Sequence, residues 1–245
     1  PVIIIVSDLS PTIHMRNPIR YCRQWLERKM VQTAPGVVVF SNYVGRELRS
    51  DRPWIRMVRP PAADLLNTIP TRPNPDSRIV YFASTTAKIS GTDLLLHAIP
   101  LIQDTRYRFW FSGRGPLDNA IREASRQDNR ITHWGFVNRE QYRQLLQEAN
   151  VLVNPRLSNF PEHRYNFPSK LMEYMAAGRP IISTATSDVR EYYRDAIVLL
   201  EDETPEGLAK AIVETCELPF EEQMALGQCA RQHVEQETWE AQARR

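Results

Sequence analysis

The chain has 245 residues, 42% hydrophobic and 24% charged, with a net charge of +2. That length allows one large domain or two ordinary ones, and the composition is that of a globular protein. The weak net charge argues against the dense basic surface of a nucleic-acid binder, and three scattered cysteines (Cys22, Cys216, Cys229) make neither a disulfide framework nor a zinc pattern. A reducing compartment follows as an expectation. No apolar run reaches the roughly 18 residues of a membrane span, and nothing resembles a signal peptide. Because the chain starts at Pro1 directly in PVIIIV, it is expected to be part of a longer protein.

PVIIIV (1–6) is a continuous apolar run, the pattern of a strand buried on both faces. Residues 19–34 carry Ile19, Cys22, Leu26 and Met30 at helical spacing. Strand GVVVFS (36–41), short helix 42–50 and strand WIRMV (54–58) follow, and the proline-rich 60–75 reads as a linker. Beyond it strands are predicted at 78–84, 108–113, 131–135, 151–156, 180–184 and 197–201. Helices are predicted at 93–102, 116–125, 139–149, 167–178, 187–193, 204–217 and 220–236. Such alternation implies parallel sheets with helices on both faces, and ligands at the carboxyl ends of the strands. The candidate loops are therefore 83–92, 112–116, 135–138 and 154–169.

SGRGP (112–116) fails the dinucleotide fingerprint, because Asp118 takes the third glycine position. Gly113 and Gly115 still permit either a close approach to a phosphate or a plain tight turn. His14, His97, His133, His163 and His233 are not at metal-ligand spacing, and no Asp-x-Asp pair is present. FPSKLMEYMAAGRPII (167–182) is more informative. Pro168 and Gly178 bracket a helix whose Leu171, Met172, Met175 and Ala176 form a packing face. Ser169, Lys170 and Glu173 share the other side near the helix N-terminus. Two readings stay open on spacing alone. Lys170 and Glu173 form a solvated ion pair, or Ser169 and Lys170 meet a phosphate while Glu173 accepts from vicinal ribose hydroxyls.

FPSKLMEYMAAGRPII, between VLVNPR and SDVREYY, resembles the donor-binding lobe of retaining GT-B glycosyltransferases of the family 4 type. Starch and sucrose synthases and bacterial polysaccharide-assembling enzymes are of this kind. FWFSGRGP resembles their strand and glycine loop, and ITHWGFVNREQYRQLLQEANVLVNP their base-binding loop, helix and next strand. ERKMVQTAPGVVVFSNYVGREL resembles the end of their first lobe, MVRPPAAD the crossover, and ETWEAQA the final returning helix. The resemblance implies an α/β GT-B fold of two Rossmann-like doubly wound domains, the N-terminal one incomplete. It implies residues 1–65 in the acceptor-side domain, 66–75 as linker, 76–236 as the nucleotide-sugar domain and 237–245 returning to the first.

Under the resemblance Glu173 binds ribose hydroxyls, Phe136 and Val137 contact the base through their backbone, and Gly113 and Arg114 lie near the diphosphate or sugar. Ser169 contacts phosphate; Asn166 and Phe167 join the donor site; Lys170, Arg156 and Lys88 carry the leaving-group charge. The chain departs from the family pattern at three places. Tyr165 stands where the first of two glutamates eight apart belongs, and Ser90 where a lysine does. Ser7 and Asp8 follow the first strand in place of a histidine. The implied activity is a metal-independent, hexosyltransferase-like retaining transfer with no cofactor besides the donor. The implied acceptor is a glycan or lipid-linked molecule, in the cytoplasm or at the inner face of the membrane. Alternatives are a non-catalytic lobe that binds a nucleotide sugar or a partner, and a nucleotide-sugar 2-epimerase. Arg16, Arg20, Arg23, Arg28 and Lys29 form a basic helix, read either as a solvated face or as a contact for anionic lipid.

Overall fold

The computed structural model describes residues 3–6, 17–49, 51–67 and 76–244. Ser7, Asp8, His14, Arg16 and most of the 66–75 segment lie outside the described residues.

Strand β1 (Ile3–Val6), helix α1 (Pro18–Thr33), strand β2 (Gly36–Val39), helix α2 (Asn42–Leu48) and strand β3 (Ile55–Arg56) build a parallel sheet in the order β1-β2-β3. Helix α3 (Ala63–Leu66) leads out of it. The second unit runs β4 (Arg78–Ala83), α4 (Thr92–Ala98), β5 (Tyr107–Ser112), α5 (Asp118–Gln127), β6 (Ile131–Gly135) and α6 (Arg139–Glu148). It continues through β7 (Val151–Asn154), α7 (Glu162–Tyr165), α8 (Ser169–Ala177), β8 (Ile181–Thr184), α9 (Val189–Tyr193) and β9 (Val198–Leu200). Helices α10 (Pro205–Cys216), α11 (Phe220–Glu235) and α12 (Trp239–Gln242) close the chain. All six strands are parallel, in the order β6-β5-β4-β7-β8-β9. The winding reverses between β4 and β7, and doubly wound sheets take ligands at such a switch point.

The alternating side chains of the six-stranded sheet feed two cores. Ile79, Tyr81, Leu152 and Ile181 pack under α6, α8, α9 and α11. Val80, Phe82, Phe109, Phe111, Val153 and Ile182 pack under α4, α5 and α10. This explains the near-continuous apolar runs of these strands, which are buried on both faces.

The three-stranded sheet differs from the expectation of helices on both faces. Val6, Val37 and Val39 are buried with Val31, Val44 and Leu48, whereas Ile3, Ile5 and Ile55 are exposed on the other face. Helix α1 also departs from the simple amphipathic picture. Its apolar stripe of Ile19, Cys22, Leu26 and Met30 is exposed, Ile19 to 80%. The helix is held at its two ends instead. Asn17 Oδ1 accepts from the Ile19 amide at 3.0 Å. At the other end Val31 is buried, and the buried Arg49 donates to the carbonyls of Val31 (3.0 Å) and Ala34 (2.6 Å). These carbonyls belong to the last turn and its cap, where a helix has no N–H donors of its own to offer them.

The two sheets meet through a polar junction. The fully buried Asp188, just before α9, accepts from the Asn42 amide at 2.7 Å and from Arg56 Nε at 3.2 Å. It thereby caps α2 of the other unit. The Arg56 guanidinium lies 3.8 Å from the centre of the Tyr192 ring. Gln242 on α12 bonds both the amide (2.8 Å) and the carbonyl (3.0 Å) of Val58. Tyr165 is 7% exposed within the first unit's core, and its hydroxyl donates to Glu47 on α2 at 2.7 Å. The position where the resemblance implies a glutamate is thus filled by a strut between the two units.

Candidate active site

The carboxyl ends of β4 and β5, the start of α8 and the crossover around α3 enclose a cleft of about 790 Å³. Gly113, Arg114, Phe136, Val137, Ser169, Lys170 and Glu173 all line it. A smaller chamber of about 190 Å³ adjoins it, sharing Ser84, Ser169 and Lys170, and adds Ser90, Asn154, Arg156 and His163. Seven of the residues singled out in the sequence therefore share one cleft, and Arg156 reaches the adjoining chamber.

Three do not line either space. Phe167 is buried, its ring 5.8 Å from that of Tyr193 and 5.7 Å from the Arg56 guanidinium. The chain reverses between α7 and α8, and the apolar ring turns inward to fill the junction. Asn166 ends α7, its amide bonded to the Glu162 carbonyl at 3.1 Å. Lys88 opens a 3-10 turn over Lys88–Ser90 and is exposed, while Ser90 of the same turn faces the small chamber. A turn of three residues sends its first and last side chains in different directions.

Gly113 has φ 131°, and a Cβ there would lie 1.8 Å from the Ser84 carbonyl oxygen. At Gly115 it would lie 2.5 Å from the Thr86 carbonyl oxygen. The two glycines therefore admit the loop that follows β4. Asp118 closes this arrangement, accepting from the Thr86 hydroxyl and from the Gly115 amide. It is the residue that spoils the dinucleotide fingerprint, and its local bonds supply a structural reason for its presence.

Lys170 and Glu173 form an ion pair at 2.7 Å, with their side chains 40% and 31% exposed. The pair sits in the cleft rather than on an outer helix face. The Lys170 ammonium also lies 4.3 Å from the centre of the Tyr142 ring. Burial first, and the charge of Glu173 second, push the Tyr142 phenol well above its ordinary pKa. Tyr142 is therefore a neutral wall for the cation and the carboxylate beside it. Ser169 and Lys170 occupy the first two positions of the nine-residue α8, whose amides have no intrahelical acceptor and whose dipole favours an anion. Carboxylate, ammonium and helix N-terminus within one turn suit a ligand with both hydroxyls to donate and negative charge to be held.

Residues not singled out in the sequence complete the cleft. Arg59, Asp64 and Leu65 come from the crossover, and Tyr142 and Arg139 from α6. Arg139 binds Asp64 through two donors, Nε to Oδ2 at 2.6 Å and Nη2 to Oδ1. The bonded arginine holds the Asp64 carboxyl below the usual carboxylate range. Asn138 caps α6 from the rim in a reciprocal box with Gln141. The Asn-x-x-Gln spacing is a readable start signal for that helix. The contribution of the crossover has no local signature.

A family model for glycosyl transferases group 1 matches residues 76–217. The chain belongs to this family. A search of curated proteins found no match. Among solved structures, the family member is similar to sucrose-phosphate synthase from Thermosynechococcus elongatus, with 20% identity and a TM-score of 0.75 over 98% of this chain and 65% of that one. It is also similar to Anabaena HepE in complex with UDP and glucose, with 15% identity and a TM-score of 0.73 over 97% of this chain and 67% of that one. WaaG, a glycosyltransferase involved in lipopolysaccharide biosynthesis, aligns with 13% identity and a TM-score of 0.72 over 98% and 72% of the two chains. The fold is thus GT-B, and this group 1 chain spans about two thirds of the length of these neighbours. Among its described residues no helix is long and apolar enough to cross a membrane.

Proposed function

We propose that the chain is the donor-binding half, and part of the acceptor half, of a glycosyltransferase. It moves a sugar from a nucleotide diphosphate to an acceptor hydroxyl with retention of configuration. The observation that carries this reading is the meeting of Ser169, Lys170 and Glu173 with Arg114, Phe136 and Val137 around one cleft at the sheet's switch point. The ribose hydroxyls donate to Glu173, the base lies against the Phe136–Val137 backbone, and the diphosphate lies at the start of α8.

Departure of the diphosphate is the demanding step, because charge develops on its oxygen. Ser169, Lys170 and the α8 amides meet that charge in the large cleft, and Arg156 meets it from the small chamber. Preorganised cations and amides in a partly desolvated cleft stabilise it without a metal or a further cofactor. Closure of the two lobes excludes water and aligns the acceptor. The acceptor reading is a glycan or a lipid-linked molecule, handled by a cytoplasmic enzyme at the inner membrane face. Support comes from α1, where Arg20, Arg23 and Lys29 accompany exposed Tyr21, Trp25 and Leu26.

Calorimetry with UDP-, GDP- and ADP-sugars tests the donor site. Glu173→Ala is expected to weaken the best donor more than tenfold, about 1.4 kcal/mol, while Lys170→Ala and Arg156→Ala lower turnover. Unchanged affinity in Glu173→Ala sinks the ribose assignment. Intact binding without turnover by the full-length protein favours the non-catalytic alternative.

A further inference from the structure

Arg156 and His163 both line the small chamber and touch one another. Arg156 Nε donates to His163 Nε2 at 3.2 Å. The other ring nitrogen, Nδ1, lies 2.7 Å from the Leu157 carbonyl oxygen. A carbonyl only accepts, so Nδ1 carries the proton and Nε2 is the bare acceptor. The imidazole is 1% exposed, with its ring 5.7 Å from that of Phe160. The charged groups around it are Arg156 and Glu162, and the Lys170 ammonium lines the same chamber. Burial first, and the Arg156 charge second, hold the imidazole below its ordinary pKa. The tautomer that accepts from arginine therefore persists through neutral pH.

The contact is a charge-assisted hydrogen bond from the guanidinium to a neutral ring nitrogen. What the contact supplies is orientation. Nε is the stem-side donor of the planar group, so holding it fixes the plane and the direction of the distal Nη edge. That edge belongs to a side chain lining the chamber that Ser169 and Lys170 share with the main cleft.

We propose that His163 is a positioning residue for Arg156: it pins Nε so that the guanidinium presents its distal edge to the departing diphosphate beside Ser169 and Lys170. The inference rests on the transferase reading and adds to it a residue that the family resemblance did not single out.

The test is steady-state turnover by the full-length protein, using the best of a UDP-, GDP- and ADP-sugar panel. His163→Phe keeps a planar ring and removes the acceptor, whereas His163→Gln restores one. His163→Phe is expected to lower kcat by about tenfold to a hundredfold, the scale of a displaced catalytic group, with donor KM little changed. His163→Gln is expected to recover most of that loss. In an Arg156→Ala background, His163→Phe is expected to cost nothing further. Parent-like kcat in His163→Phe, or the same loss in both backgrounds, overturns the proposal. If His163→Phe does not fold, the pH profile of His163→Gln decides. The parent loses kcat as acid protonates the imidazole against Arg156; His163→Gln is expected to lack that limb, and its retention overturns the proposal. Parent turnover that Arg156→Ala impairs and His163→Phe does not removes this inference alone. Absence of binding and turnover with every donor removes the transferase reading with it.

Discussion

Gly113 shows how one residue shapes the cleft without offering a functional group. Its φ of 131° and the 1.8 Å approach of a would-be Cβ to the Ser84 carbonyl oxygen leave room for glycine alone. Gly113→Ala is expected to cost roughly 1–3 kcal/mol of backbone strain, in addition to the displacement of the 84–86 loop. Thermal unfolding checks this, and an unchanged midpoint would show that the loop does not need the close approach. Glu173 is the complementary case. The sequence placed its carboxylate near a helix start, and the structure pairs it with Lys170 at 2.7 Å inside the cleft. Of the two readings left open by the spacing, the structure shows the ion pair, and places it in the cleft rather than on an outer helix face. Phe167, from the same segment, was legible as apolar but not as a core residue, because its direction depends on the reversal between α7 and α8.

At the scale of elements, strands and long helices were read close to their observed bounds, since period and caps are local. Two of the shortest helices were not. Helices α3 and α7 have four residues each, too few to show a period, and they fell inside segments read as linker and loop. Helix α6 carries a start signal that is testable. Asn138 accepts from the Gln141 amide at 2.9 Å while Gln141 Oε1 accepts from the Asn138 amide at 3.1 Å. Asn138→Ala is expected to destabilise the protein by about 1 kcal/mol. Because α6 also carries Arg139 and Tyr142 into the cleft, donor affinity should fall in parallel. A stability loss with unchanged affinity would separate the cap from the site. Helix α1 teaches the opposite lesson. Its apolar spacing is genuine, yet the stripe is exposed, because periodicity specifies a face and not what that face meets.

Across the whole molecule, the two units are joined by Asp188, Arg56, Asn42 and Tyr165, none of which touches the cleft. Asp188 is fully buried and faces the α2 amide and the Arg56 guanidinium, so removing it leaves a buried cation without its carboxylate and takes an acceptor from a helix start. Burial pushes its carboxyl above the usual range while the Asn42 amide and Arg56 oppose that rise, which indicates a costly group retained for its bonds. Asp188→Ala is expected to cost about 3–5 kcal/mol, the scale of breaking a buried pair, and to loosen the lobes. Thermal unfolding and small-angle scattering read the two effects. A parent-like midpoint and radius would show that the junction does not depend on this carboxylate.

The sequence by itself determined the alternation of strands and helices, the parallel sheets, and the placement of Ser169, Lys170 and Glu173 at a helix start. These rest on period, caps and spacing, which act within a few residues. Only the tertiary structure decided that the crossover brings Arg59 and Asp64 to the cleft, that Tyr165 braces the lobes, and that His163 holds Arg156. Each is a contact between side chains whose meeting depends on how the chain turns between elements, and no local pattern encodes it.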